Sequence, residues 1–186
     1  MALFGLLGSR RHERAGFALY TRSVEAARAP VFFERLGVPD TLDGRFDLIG
    51  VFAALTIRRL RNAEPPGPKL AQAVFDAMFA DLDFTLREMG VGDLSVAKRM
   101  REMWEAFHGR AMAYDAPLAQ ADHHSLADAL GRNVWRGEAP AGAADALARA
   151  VLAQDAALAA QPLSALAAGK IRFLQAEDSL AMLAPA

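Results

Sequence analysis

Residues 70–116 read LAQAVFDAMFADLDFTLREMGVGDLSVAKRMREMWEAFHGRAMAYDA. Phe75, Phe79, Leu82, Leu86 and Met89 recur at steps of 4, 3, 4 and 3, a period near 3.5 that suits one helix packing on another. Gly90 stands where a left-handed residue closes a helix, and Val91 is placed to touch Leu86 across that turn. Ser95 reads as the cap of a second helix with the apolar line Val96, Met100, Met103, Phe107, Ala111 and Tyr114. Two helices joined by so short a connection pack antiparallel. The stretch is rich in Phe, Met, Trp and Arg but holds no grouping that resembles a catalytic centre. It predicts a protein that holds another protein in preference to one that makes bonds.

Outward from this hairpin the helical pattern continues. Towards the N-terminus, Arg11–Arg28 is expected as a helix stopped by Pro30, which has no N–H to give and clashes with the preceding turn. Met1–Gly8 reads as a flexible lead-in. Val31–Leu36 makes a short further turn closed by Gly37 and Pro39. Asp43 is expected to cap a helix through Phe46, Ile49, Ala53, Ile57 and Leu60, whose last turn holds Arg58, Arg59 and Arg61. Asn62–Pro68, with three prolines, is the clearest loop. Towards the C-terminus, Ser125 is expected to cap a helix through Leu126, Leu130, Val134 and Trp135 that ends at Gly137. About half of residues 139–169 are alanine, a strong helix former that buries little area. One or two peripheral helices, broken at Pro162 and Gly169, are expected there, with fraying at the end. The fold class is all-α: a single-domain helical bundle with a central antiparallel hairpin and an Ala-rich C-terminal helical extension.

A chain of 186 residues can bury about 70% of its unfolded surface in one core. It has no cysteine, which removes disulfides, thiol catalysis and cysteine-based metal sites together. Net charge is −1, so bulk charge points to no nucleic-acid partner. The distribution is uneven: residues 1–61 carry ten Arg against six acids, a balance of +4, and residues 62–125 carry six bases against ten acids, −4. The basic third is a mild bias towards anionic surfaces. No apolar run reaches the roughly 18 residues of a membrane span, and the first arginines follow the apolar start, the wrong order for a secretory signal. The expected location is cytoplasmic, with peripheral contact at the inner membrane left open.

Asp122-His123-His124 is the only dense set of metal-ligand types, but neighbours on a helix face different ways, so it reads as a polar helix start and no metal is assigned. Asp76, Asp81 and Asp83 lie along one helix, with Asp76 and Asp83 on one face. An all-α enzyme acting on an isoprenoid or quinone-like lipid uses such carboxylates, but it needs them denser and matched from a second helix, so a solvated acidic face is preferred. Catalytic residues and cofactors are accordingly set at none. Asn133 falls on the apolar side of its helix and needs hydrogen-bond partners there or lines a groove. The Met and aromatic group (Met78, Met89, Met100, Met103, Met112, Trp104, Phe107) is read first as core, with some members available to an exposed groove.

Phe46-Asp47-Leu48, the Asp76–Asp83 helix, Leu86–Val91, Phe107-His108-Gly109-Arg110, Tyr114-Asp115 and Leu126–Asn133, in this order and spacing, resemble the ubiquinol–cytochrome c chaperone family over roughly 31–137. The resemblance implies an all-α assembly factor for the respiratory cytochrome bc complex, a non-enzyme whose client is cytochrome b or another apolar helical protein. The arginines beside the apolar surface add peripheral contact with an anionic membrane as an expectation, and the family likeness alone implies contact with ribosomes; the oligomeric state stays open. On this reading residues 1–29 are a lead-in and first helix, 30–138 the chaperone-family core and 139–186 the Ala-rich extension. Candidate partner-binding residues are Arg87, Trp104, Phe107, Arg110, Tyr114, Arg132, Asn133 and Trp135.

Overall fold

The structure, a computed structural model, describes the backbone of residues 2–181 and the side chains of 10–180; the expected terminal fraying at 182–186 lies outside them. Among the described residues it is built of helices alone: α1 (Ala2–Ala27), α2 (Pro30–Glu34), α3 (Leu42–Arg61), α4 (Gly67–Glu88), α5 (Asp93–Gln120), α6 (His123–Val134), α7 (Ala143–Ala159), α8 (Leu163–Ala167) and α9 (Ala176–Ala181). The lead-in expected before Arg11 is helical from Ala2 onward, so the first helix is longer than its apolar pattern indicated.

The helix α3 is the axis of the molecule. Its segment Leu48–Ile57 is an almost unbroken apolar run, and such a helix must be covered on every side. Phe46, Leu48, Val51, Phe52, Ala53, Leu55 and Leu60 are all buried. The helix α4 runs back along α3 and lays Leu70, Val74 and Met78 against α1 and α3. The seam read from the sequence is a second face of α4, turned to α5. Phe75 and Phe79 meet Phe107 there, with ring centroids 5.9 and 6.2 Å away, while Met89 is exposed.

The hairpin closes as its sequence indicated. Gly90 has φ +77°, Val91 N–H donates to Leu86 O and Gly90 N–H to Arg87 O, which satisfies the last carbonyls of α4. Three helix starts differ from expectation. Thr41, not Asp43, caps α3, its hydroxyl accepting from Gly44 N–H. Gly92, not Ser95, precedes α5. Asp122, not Ser125, caps α6, accepting from Ser125 N–H. In each case the expected cap sits inside the first turn, where polar residues are also at home. Pro68 likewise lies in the first turn of α4, where a missing N–H costs nothing.

The Ala-rich segment is not peripheral. Leu147, Ala148, Val151 and Leu158 of α7 are fully buried, and Arg59 donates to Leu158 O and Gln161 O at 3.0 and 2.8 Å, capping the end of α7. Small alanines allow α7 to approach α3 and α6 closely. Arg58 binds Asp155 of α7 (3.0 Å) and Asp115 of α5 (3.2 Å), so the basic end of α3 ties down two other helices.

Gly16 marks a close approach of α1 to α4. A Cβ there would lie 2.6 Å from the backbone carbonyl carbon of Ala73 on α4. Helix propensity alone favours alanine over glycine by about 1 kcal/mol, but the clash is with backbone that cannot turn aside. We expect Gly16→Ala to lower stability by about 1–3 kcal/mol, measured by urea unfolding followed by circular dichroism; an unchanged midpoint contradicts this packing.

Candidate protein-binding surface and the polar node behind it

The helix α5 has two opposite sides. Val96, Phe107, Tyr114 and Leu118 are buried on one of them. Leu94, Arg101, Trp104, His108 and Met112, at steps of 7, 3, 4 and 4, line the other. On that outward side Leu94 is 92% exposed, Met112 66% and Trp104 46%. The Trp104 ring stacks parallel to His108, centroids 5.4 Å apart, which favours one orientation of the indole. Phe84 and Met89 add exposed apolar side chains where α4 ends. Arg87 joins the two arms of the hairpin at this end. It reaches Asp83 at 2.7 Å and also pairs with Asp93, and both carboxylates hold its proton more firmly than usual.

Behind the hairpin lies a buried polar node. Asp47 of α3 is 2% exposed, with Arg110 Nη1 of α5 at 2.5 Å and Arg136 Nη2 at 3.6 Å. The contacts are ion pairs by distance and not aligned hydrogen bonds, so the Asp47 oxygens and Arg110 Nη1 lack hydrogen-bond partners. The Arg110 guanidinium also lies over the Phe46 ring, 5.7 Å from its centroid. Burial raises the Asp47 pKa to about 6 against the pull of both arginines. Tyr114 is buried with its hydroxyl beside Asn133 of α6 but unaligned with it, and burial raises its pKa first of all. Arg132 adds positive charge nearby from an exposed position. Trp135 is buried and donates from Nε1 to Gly37 O at 3.0 Å, fixing the end of α6 to the turn after α2.

The candidate residues therefore separate into groups. Arg110, Tyr114 and Asn133 come together at the node, with Arg132 at its edge; Phe107 and Trp135 are packed inside; Trp104 alone stands on the outward apolar row; Arg87 is a hairpin tie. Leu94 and Phe84 were not singled out by sequence reasoning, and Asp47 entered it only as part of the Phe46-Asp47-Leu48 motif, not as a site residue. A signal for Asp47 existed: an acid directly before the apolar run Leu48–Ile57 requires a cation from a neighbour, and Arg110 is the cation on the facing helix.

The acids of α4 do not converge. Asp76 accepts from Gln72, Asp81 from Tyr20 at 2.8 Å, and Asp83 from Arg87, which counts against a shared diphosphate site. His123 Nε2 lies 3.1 Å from Asp145 O, and Asp122 is occupied with Ser125. No group of three or more metal-ligand side chains and no helix long and apolar enough to cross a membrane occurs among the described residues.

Comparison with known proteins gives a consistent picture. Residues 34–173 match the model of the family described as ubiquinol-cytochrome C chaperone, a span that runs through α7 and α8. The ubiquinol-cytochrome-c reductase complex assembly factor 1 of Xenopus laevis is 28% identical over 120 residues, which is 64% of this chain and 60% of that protein. The protein of the same description from Mus musculus is 28% identical over 121 residues, 65% of this chain and 41% of that one. This chain thus spans less than two thirds of the length of these relatives. The solved structure of the Cbp3 homolog from Brucella abortus superposes with a TM-score of 0.83 at 34% identity, covering 95% of this chain and 98% of that one.

The node makes a prediction in two parts. Arg110→Ala leaves the buried Asp47 carboxylate with only the more distant and exposed Arg136 and is expected to cost about 3–5 kcal/mol. With Asp47 raised to about 6, the folded state keeps a proton that the unfolded chain releases near pH 4. Stability contributed by Asp47 therefore falls as pH rises from about 4 to about 6, by up to about 3 kcal/mol. Urea unfolding of the wild type and of Asp47→Asn across pH 4–7 checks it: the difference between the two should shift towards the variant as pH rises through that window. A constant difference contradicts it.

Proposed function

The chain belongs to the ubiquinol–cytochrome c chaperone family, and from that membership we propose that it is an assembly factor for the respiratory cytochrome bc complex, holding the cytochrome b subunit while the complex is built. The observation that carries this reading is the outward row Leu94, Trp104 and Met112 on α5, continued by Phe84 and Met89. Cytochrome b is a bundle of apolar helices, and before assembly its surfaces need cover from water. An apolar row along one face of a long helix is the counterpart of one face of another apolar helix.

The magnitudes fit a temporary hold. Covering about 1,000 Å² of apolar surface is worth on the order of 25 kcal/mol gross. Lost rigid-body freedom and side-chain ordering offset much of that. What remains is an affinity that can be reversed when the client moves on. Unbranched, polarisable Met89 and Met112 adapt to uneven helix surfaces, and Trp104 is a large, preoriented anchor. Holding asks for shape and apolar area and for no bond-making, which agrees with the divergent carboxylates of α4. The exposed Arg10, Arg11, Arg14, Arg28 and Arg35 are suited to an anionic membrane surface at about 1 kcal/mol each, where such a client is inserted. Contact with ribosomes rests on family likeness alone.

The test is genetic and biochemical together. Deleting the gene should deplete the cytochrome bc complex, seen in the haem b and haem c difference spectra of membranes. Trp104→Ser combined with Met112→Ser should lower recovery of cytochrome b with the tagged protein by tenfold or more, about 1.4 kcal/mol, with an unchanged melting temperature. Normal complex levels in the deletion strain, or undiminished recovery with the doubly substituted protein, would contradict the reading.

A further inference from the structure

Between α8 and α9 the chain runs as a strap, residues 169–175, without helix. Two glutamines of α7, one seven residues after the other, hold it. Gln154 donates to Leu174 O and accepts from Leu174 N–H, both at 2.9 Å. Gln161 donates to Arg172 O at 2.7 Å and accepts from Arg172 N–H at 3.0 Å. Each amide side chain thus acts as one residue of a neighbouring strand would.

Residues 172 and 174 are two apart and point their peptide groups the same way, which is the alternation of an extended strand. In that conformation the N–H and C=O groups of Ile171 and Phe173 point away from α7. Among the described residues no hydrogen bond pairs these four groups. The alternation leaves these four groups on the strap edge away from α7, and residues 169–176 line a cleft of about 610 Å³ whose other wall is α1, with Arg22, Glu25, Ala26 and Ala29. This lies within the range of about 300–1,000 Å³ found for ligand clefts. The strap is therefore half of a sheet, paired on one edge by side chains and open on the other.

The side chains add selectivity. Those of Ile171 and Phe173 turn inward: Ile171 is buried and the Phe173 ring packs on Phe52, centroids 5.4 Å apart. Lys170 and Arg172 are exposed on the opposite face. Arg22 and Glu25 pair with each other at 2.6 Å, and among the described residues no ion pair engages Lys170 or Arg172. The acids Glu177 and Asp178 come after the strap and do not line the cleft.

We propose that the open edge of the strap and the α1 wall form a receptor for an extended acidic peptide segment of a partner protein, taken up as an added β-strand along Ile171 and Phe173. Backbone pairing supplies the hold. Alternation then sets the sequence: one side of the incoming strand lies over Ala26 and Ala29 and is small or apolar, and the other lies beside Lys170 and Arg172 and is acidic. The surface is separate from the outward row of α5 and stands whatever protein that row covers.

The experiment uses the full chain and a fluorescein-labelled hexapeptide of alternating valine and glutamate, with binding read by anisotropy and amide exchange read by NMR. In the free protein the Ile171 and Phe173 amides should exchange fast and those of Arg172 and Leu174 slowly. Saturating peptide should slow Ile171 and Phe173 by about tenfold or more. N-methylation of alternate peptide nitrogens on the pairing edge should weaken binding about tenfold, and Lys170→Glu with Arg172→Glu should weaken it about fivefold at unchanged melting temperature. Absence of binding by the acidic hexapeptide, equal binding of the N-methylated one, or Ile171 and Phe173 amides already protected without peptide would overturn the proposal.

Discussion

A helix covered on all sides carries one carboxylate into the core, and the arrangement of the other helices follows from that constraint. Asp47 cannot be left alone in an apolar interior, so α5 must lie where Arg110 reaches it. Positioning α5 by Arg110 sets Phe107 against Phe75 and Phe79 and brings Tyr114 to Asn133 of α6. The raised Asp47 pKa records how incompletely the pairing compensates burial. A better-packed hydrophobic pair there would hold the helices more strongly. The ion pair instead specifies one register between α3 and α5, as an apolar contact alone does not.

That register decides which side of α5 meets water. With Val96, Phe107 and Tyr114 committed inward, a turn of the helix by half a revolution leaves Leu94, Trp104 and Met112 outside. The same helix therefore serves the core and a surface that, among the described residues, no neighbouring helix covers. The end of α3 secures the arrangement from the other side, with Arg58 and Arg59 binding α5 and α7. A rigid frame of this kind presents apolar side chains without collapsing around them, which is what the proposed holding of an apolar client asks of the fold.

Much of this was legible in the sequence because its causes are local. The hairpin at Gly90, the stop at Pro30, the breaks at Pro162 and Gly169 and the all-α class follow from helical period and from residues that end helices. The caps were displaced because Asp43, Ser95 and Ser125 satisfy first-turn preferences nearly as well as Thr41, Gly92 and Asp122 satisfy the cap itself. The depth of α7 was hidden because alanine signals little burial, although small side chains are what let the helix approach. The Asp47 node and the glutamine-held strap are tertiary: Arg110 lies 63 residues beyond Asp47, and Gln154 lies 20 before Leu174. Ile171–Leu174 is too short to declare itself a strand by alternation.

The central claim is that the outward face of α5 touches a subunit of the respiratory complex in the living cell. A photoreactive amino acid placed at Met112 tests it most directly, with the same group at Ser164 on the exposed part of α8 as reference. The account predicts a light-dependent adduct with cytochrome b from position 112 and none from 164. Equal adducts from both positions, or none with any subunit of the complex from 112, would contradict it.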